Sequence, residues 1–275
     1  MTSRETGGAR DAKERIVDAA VARLHRDGLT VALAGISLEE AIAEAGVARA
    51  TGYRRWPNRQ DFARAVLVRV VREAELVPES EETLAAIRNA VSRVNAVAER
   101  GEIADPGRTA VVEALRIATE ADFRRLVTSR RWRDYLALRA TCAGLPDEEL
   151  RAELTAELRR ADKDFTAGRG RVYARATRAL GYRVQVPALG EDASLELMSS
   201  TLGALMSGLI IGGGRSGTDD ADDADDSFTA KAFGSEIDGR WTAASYALTS
   251  SFLTFLAPPA VPTVDIDLQT VLTEL

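Results

Sequence analysis

The chain of 275 residues contains one cysteine, Cys142, and one histidine, His25. A lone thiol forbids an intramolecular disulfide and fits a reducing compartment, so the expected location is the cytoplasm. A His/Cys zinc site lacks its ligands for the same reason. There is no Gly-x-Ser-x-Gly nucleophile motif, and no Gly-Lys-Ser/Thr follows the glycines at 212–214, which excludes a phosphate loop. His25 reads as a packing or surface residue of a first helix, and Cys142 has no evident partner. No catalytic residue, metal ligand or cofactor is therefore assigned, and the chain is not expected to be an enzyme. The opening MTSRETGGARDAKERI has no apolar core of the kind a signal peptide needs. Residues 197–214 carry no charge, but their Ser, Thr and Gly content and leucine stripe read as a soluble helix, so no membrane partner is expected. No run between Leu84 and Leu180 alternates with period two, which argues against a sheet there.

What remains is an ordinary globular composition, 45% apolar and 28% charged, in a chain long enough for two domains. Its net charge of −6 is unevenly spread. Residues 1–75 hold 13 Lys/Arg against 11 Asp/Glu, whereas 76–275 hold 23 against 31. Within 49–72 there are seven arginines and one acid, Asp61, a local excess that attracts phosphate across a Debye length of about 10 Å.

The pattern predicts an all-α protein. Residues 1–10 read as an arm, followed by a first helix over 10–27 with Val17, Ala20, Val21 and Leu24 on one stripe and Gly28 as its stop. Ser37-Leu-Glu-Glu40 reads as a capping box opening a helix over 38–45. Gly46 makes a turn, a basic third helix covers 49–56, and Pro57-Asn58 ends it and caps a fourth. Two short helices about a glycine turn, the second polar and basic outside, match what a helix-turn-helix needs to enter a major groove. Further on, Leu195, Met198, Leu202, Leu205 and Leu209 form one apolar stripe, and Trp241, Leu248 and Phe252 belong to a second. Beside small residues that permit close helix packing, both read as faces buried in a core or at a subunit (homodimer) interface. Residues 212–240, with eight acids and three bases, read as a flexible acidic loop. Its six clustered aspartates lack the Gly and terminal Glu of a calcium loop.

Residues 12–75 resemble the DNA-binding domain of the tetracycline-repressor (TetR) family of bacterial transcriptional regulators. The resemblance rests on Ala19-Ala20, the Gly28 stop, the capped second helix, Ala45-Gly46-Val47, Thr51, Tyr53, Trp56, Pro57-Asn58, Arg59 and Phe62. It implies a helix-turn-helix domain over 1–75, and a larger helical ligand-binding and dimerisation domain over 76–275. The family pattern has a Ser or Thr where Ala48 stands and a large aliphatic residue where Gly52 stands. It has Ile-Ala where this chain has Ala41-Ile42. Loss of the cap and of the aliphatic side chain is expected to weaken the third helix by about 1 kcal/mol each.

The function so implied is a ligand-responsive dimeric regulator, a repressor, that binds a palindromic double-stranded DNA operator. Arg49, Ala50, Thr51, Tyr53, Arg54 and Arg55 would face DNA from the third helix, with Arg49 and Thr51 on base edges. Ser37 and Arg59, at the starts of the flanking helices, would meet phosphates. Trp56 reads as packing. A small-molecule effector would occupy the second domain, where Phe123, Trp132, Tyr135, Phe165 and Tyr173 are the pocket candidates. The alternative is a helical ligand- or protein-binding module of the same ancestry that has lost DNA binding.

Overall fold

A computed structural model describes residues 4–27, 36–72, 81–179, 181–212 and 227–259. They form helices α1 (Arg4–Asp27), α2 (Leu38–Glu44), α3 (Arg49–Arg55), α4 (Arg59–Arg72), α5 (Glu81–Glu99), α6 (Pro106–Thr128), α7 (Arg130–Ala143) and α8 (Glu148–Ala179). Strand β1 (Arg183–Val184), helix α9 (Glu191–Ile211), strands β2 (Phe228–Ala230) and β3 (Gly239–Trp241), helix α10 (Ala243–Thr254) and strand β4 (Leu256–Ala257) complete the order. The protein is all-α, as its patterning predicts; among the described residues the strands make only two short antiparallel pairs, β1 with β4 and β2 with β3. Helix α1 starts at Arg4, inside the expected arm, and α8 runs unbroken through Gly168 and Gly170.

The chain divides into two compact units: Met1–Leu76 with Arg130–Lys163, and Val77–Ser129 with Asp164–Leu275. The first therefore takes in α7 and the first half of α8 as well as the stretch before residue 76. Its core gathers Ile16, Ala20 and Val21 of α1 with Leu38 and Ile42 of α2 and Phe62, Val66 and Val70 of α4, all buried. The stripe predicted for α1 is thus the packed face, with Leu24 only half-buried at its end. Polar links add to it: Arg130 donates to the carbonyl of Arg26 at 2.7 Å, Arg64 pairs with Glu153, and Arg72 meets Glu157 at 2.9 Å.

In the second unit α5 and α10 pack on α6, and α9 packs on both α6 and α10. Trp241, Met198, Leu248, Val94 and Val112 are wholly enclosed. The expected flexible loop over 212–240 needs correction at its C-terminal end. Residues 213–226, including the aspartate run, lie outside the described residues, but 227–241 form the β2–β3 hairpin. Trp241 belongs to this hairpin rather than to the following helix, which begins after a capping box at Thr242.

The hairpin is held by a polar ladder along one side of α6. Glu236 accepts from the amides of Asp105 (2.7 Å) and Ala104 (2.9 Å), and these bonds hold its carboxyl below the ordinary carboxylate range. Arg108 donates to the carbonyl of Phe233 at 2.7 Å. Glu113, 2% exposed, accepts from Arg116 at 2.6 Å and from the Ser235 hydroxyl at 3.3 Å. Arg116 also donates to the Arg240 carbonyl at 3.0 Å, and Thr242 bonds Glu120. These partners lie 120 or more residues away in sequence, so a local reading of a Gly- and Asp-rich stretch does not find them.

Removing one member of an enclosed ion pair leaves the other charge desolvated and uncompensated, at a cost of about 3–5 kcal/mol. Glu113→Ala is therefore expected to lower the unfolding free energy by about 3 kcal/mol in urea titration, while Glu102→Ala, at an exposed pair, leaves the transition where it is.

Candidate functional site

The surface singled out by sequence is built by α2, the turn at Gly46 and α3. Ser37 takes an extended conformation before α2, and its Oγ accepts from the Glu40 amide at 3.3 Å. The reciprocal half of the predicted capping box is replaced: Glu40 pairs with Arg23 of α1 at 2.9 Å. Gly46 has φ of +62°, a left-handed conformation that favours glycine, and the amides of Gly46 and Val47 turn back to the carbonyls of Ala43 (3.1 Å) and Ile42 (3.2 Å). Arg15 donates to the Ala45 carbonyl and Glu44 pairs with Arg26, so α1 grips the turn from outside.

Ala48 opens α3 without a side-chain cap, as its identity requires. At the other end Trp56 is buried, edge-on to Phe62 with ring centroids 5.5 Å apart and under Lys13 Nζ at 4.3 Å. Its role is packing. Pro57 and Asn58 then separate α3 from α4, and Asn58 Oδ1 accepts from the Gln60 amide at 2.8 Å.

The two departures at Gly52 and Ile42 turn out to be one. A Cβ built on the buried Gly52 would stand 2.5 Å from Ile42 Cγ1 and 3.1 Å from its Cγ2. Ile42 thus fills the volume that a side chain at 52 would take, and the large residue has moved from α3 to α2. The packing loss expected from Gly52 is corrected accordingly, because the site is full. Only the backbone cost of a helical glycine remains.

Around this contact the outer face stays in water. Arg49, Ala50, Tyr53, Arg54 and Arg59 are exposed; Ser37, Thr51 and Arg55 are half-buried. The structure places six of these eight residues on α3, with Ser37 capping the start of α2 and Arg59 opening α4. The basic excess of 49–72 is narrower in space than in sequence. On α4, Arg64 pairs with Glu153, Arg69 meets Asp18 at 3.1 Å, and Arg72 meets Glu157, whose carboxyl it holds below the ordinary range. Arg49 is engaged too: its Nη2 lies 2.8 Å from Glu39 Oε1 and its guanidinium 5.8 Å from the Tyr53 ring centroid. In the sequence Glu39 figures only inside the cap of α2, and nothing there places it beside Arg49.

The remaining candidates disperse. Trp132 and Tyr135, buried on α7 with rings 5.2 Å apart, belong to the first unit, whereas Phe123, buried on α6, belongs to the second. The side chains of Phe165 and Tyr173 on α8 lie outside the described residues. An open groove of about 510 Å³ in the first unit is lined by Lys13, Trp56, Arg64, Arg72 and Glu153 among others. None of Phe123, Trp132 and Tyr135 lines it. Of the interface candidates, Met198, Leu202, Trp241, Leu248 and Phe252 are buried within the second unit itself, so their apolar area is already covered inside one chain. Leu195, Leu205 and Leu209 are half-buried. The apolar area α9 leaves open is instead marked by Leu197, Ala204, Gly208 and Ile211, which recur at helical spacing on its exposed side.

Comparison with protein-family models, with curated proteins and with solved structures gives no match to this chain.

The Ile42–Gly52 exchange has a double-mutant signature. Gly52→Leu alone overfills the α2–α3 contact and is expected to cost about 2–3 kcal/mol in thermal or urea unfolding. Adding Ile42→Ala should return most of that loss, giving a coupling energy above about 1 kcal/mol. Additive losses would mean that the two positions do not share one volume.

Proposed function

We propose that the protein is a DNA-binding transcriptional regulator that docks α3 in a major groove as a two-fold dimer on a palindromic operator. The observation that carries this reading is the exposed, uncovered face of α3. It presents Arg49, Ala50, Tyr53 and Arg54 to water on a short helix whose other face is fixed against Ile42 and Phe62-backed Trp56. Solvated arginines and a tyrosine on a rigid helix are suited to base edges and phosphates, while a protein of net charge −6 offers DNA few other places to approach. Resemblance of residues 12–75 to the tetracycline-repressor family supports the same use of the helix and adds repression and a small-molecule effector to the proposal. Coupling between effector and operator sites would then run through the two units.

Dimer formation is supported by α9. This helix has mean hydropathy 1.4 and is long and apolar enough by composition to span a bilayer, yet only 28% of that stretch is buried. Leu197 and Ile211, 42% and 71% exposed, flank small residues that let a second copy approach closely. A second reading, a helical binding module without DNA affinity, is favoured by the Glu39 ion pair on Arg49 and by the uncapped start of α3.

Selection from a randomised duplex pool, followed by sequencing, separates the two. The proposal expects a palindrome enriched by the wild type and lost in Arg49→Ala/Tyr53→Ala; weak binding, equal in both proteins, would favour the module. Sedimentation at micromolar concentration is expected to give a dimer that Leu197→Glu/Ile211→Glu converts to monomer.

A further inference from the structure

Arg49 is the first residue of α3, and its partner Glu39 lies in the first turn of α2, across the Gly46 turn. Both side chains are mostly in water, 70% and 61% exposed, where an ion pair contributes little to folding. What the pair does supply is direction. Glu39 Oε1 takes one terminal nitrogen of Arg49 at 2.8 Å, and the Tyr53 ring lies beside the guanidinium at 5.8 Å. A guanidinium has five N–H donors in a rigid plane, so one carboxylate contact orients the plane and leaves other donors available.

We propose that Glu39 is a specificity-determining residue, holding the Arg49 guanidinium in one orientation for a base edge at the cost of affinity for DNA in general. The proposal rests on the reading of α3 as the DNA-facing helix. Its physical basis is that the two effects of a carboxylate at this place differ in sequence dependence. Repulsion between Glu39 and phosphate acts on every duplex alike. Orientation of Arg49 acts only where a guanine O6/N7 edge can take two parallel bonds, a geometry that a freely rotating side chain meets less often. Glu39 acts through Arg49 and is a positioning residue.

The test compares the wild type with Glu39→Gln, Arg49→Ala and the double variant. Dissociation constants are measured by fluorescence anisotropy for the duplex that the wild type selects and for a scrambled duplex at the same salt. Glu39→Gln is expected to bind the scrambled duplex a few-fold more tightly. It should lower the ratio of selected to scrambled affinity by about tenfold, within the range one bidentate base contact provides. In the Arg49→Ala background the same substitution should still tighten scrambled binding but leave the ratio unchanged. Thermal midpoints are expected to stay together, so a merely structural role would move neither quantity. An unchanged or higher ratio in Glu39→Gln, with selective binding intact in the wild type, overturns the assignment of Glu39 alone. Absence of selective binding in the wild type overturns the reading of α3 and the assignment with it.

Discussion

The close approach of Ile42 to Gly52 sets the geometry on which the rest of the first unit depends. A β-branched side chain in a helix has few rotamers, so Ile42 cannot swing aside. α3 can lie against α2 at this distance only because residue 52 has no side chain. The left-handed turn at Gly46 and the grip of Arg15 on Ala45 then leave α3 little freedom to roll. With one face fixed and Trp56 anchored beneath Lys13 and against Phe62, the opposite face, with Arg49, Tyr53 and Arg54, is the one presented to water. Function is proposed for that face because packing has assigned the other.

Electrostatics refine the picture in the same direction. Seven arginines in 49–72 look like one basic strip along the chain, but α4 hands three of them to Glu153, Asp18 and Glu157. These pairs join α4 to α8 and α1, so they serve the unit's own cohesion. The other exposed arginines of this stretch are Arg49 and Arg54 on α3 and Arg59 at the start of α4. On the proposed function, a smaller, more sharply placed patch favours register over bulk attraction.

Much of the N-terminal architecture was legible because its signals are local. Ser37 before α2, Gly46 after it, and Pro57-Asn58 between α3 and α4 each act within four residues of themselves, and the helices end within one residue of where those signals place them. The hairpin at 227–241 was not legible for the opposite reason. Its order comes from Glu236, Ser235 and Arg240 bonding to α6 more than a hundred residues upstream, and a polar, Gly-containing composition carries no trace of that. α9 shows a third case. Apolar residues surround it, so the spacing alone does not say that Met198 and Leu202 turn inward while Leu197 and Ile211 face water. Nor does any local signal announce that α7 joins the first unit. At the candidate site the arginines of α3 are legible one by one, but the pairing of Arg49 with Glu39 is not, because the two stand on different helices and no local signal joins them.

Amide hydrogen exchange with and without duplex DNA tests the central claim most directly, since it reports where the duplex sits without presupposing an operator. The account predicts added protection concentrated in residues 36–59, at the start of α2, in α3 and at the start of α4, and sensitive to added salt. Protection absent there, or confined to other parts of the chain, would contradict it.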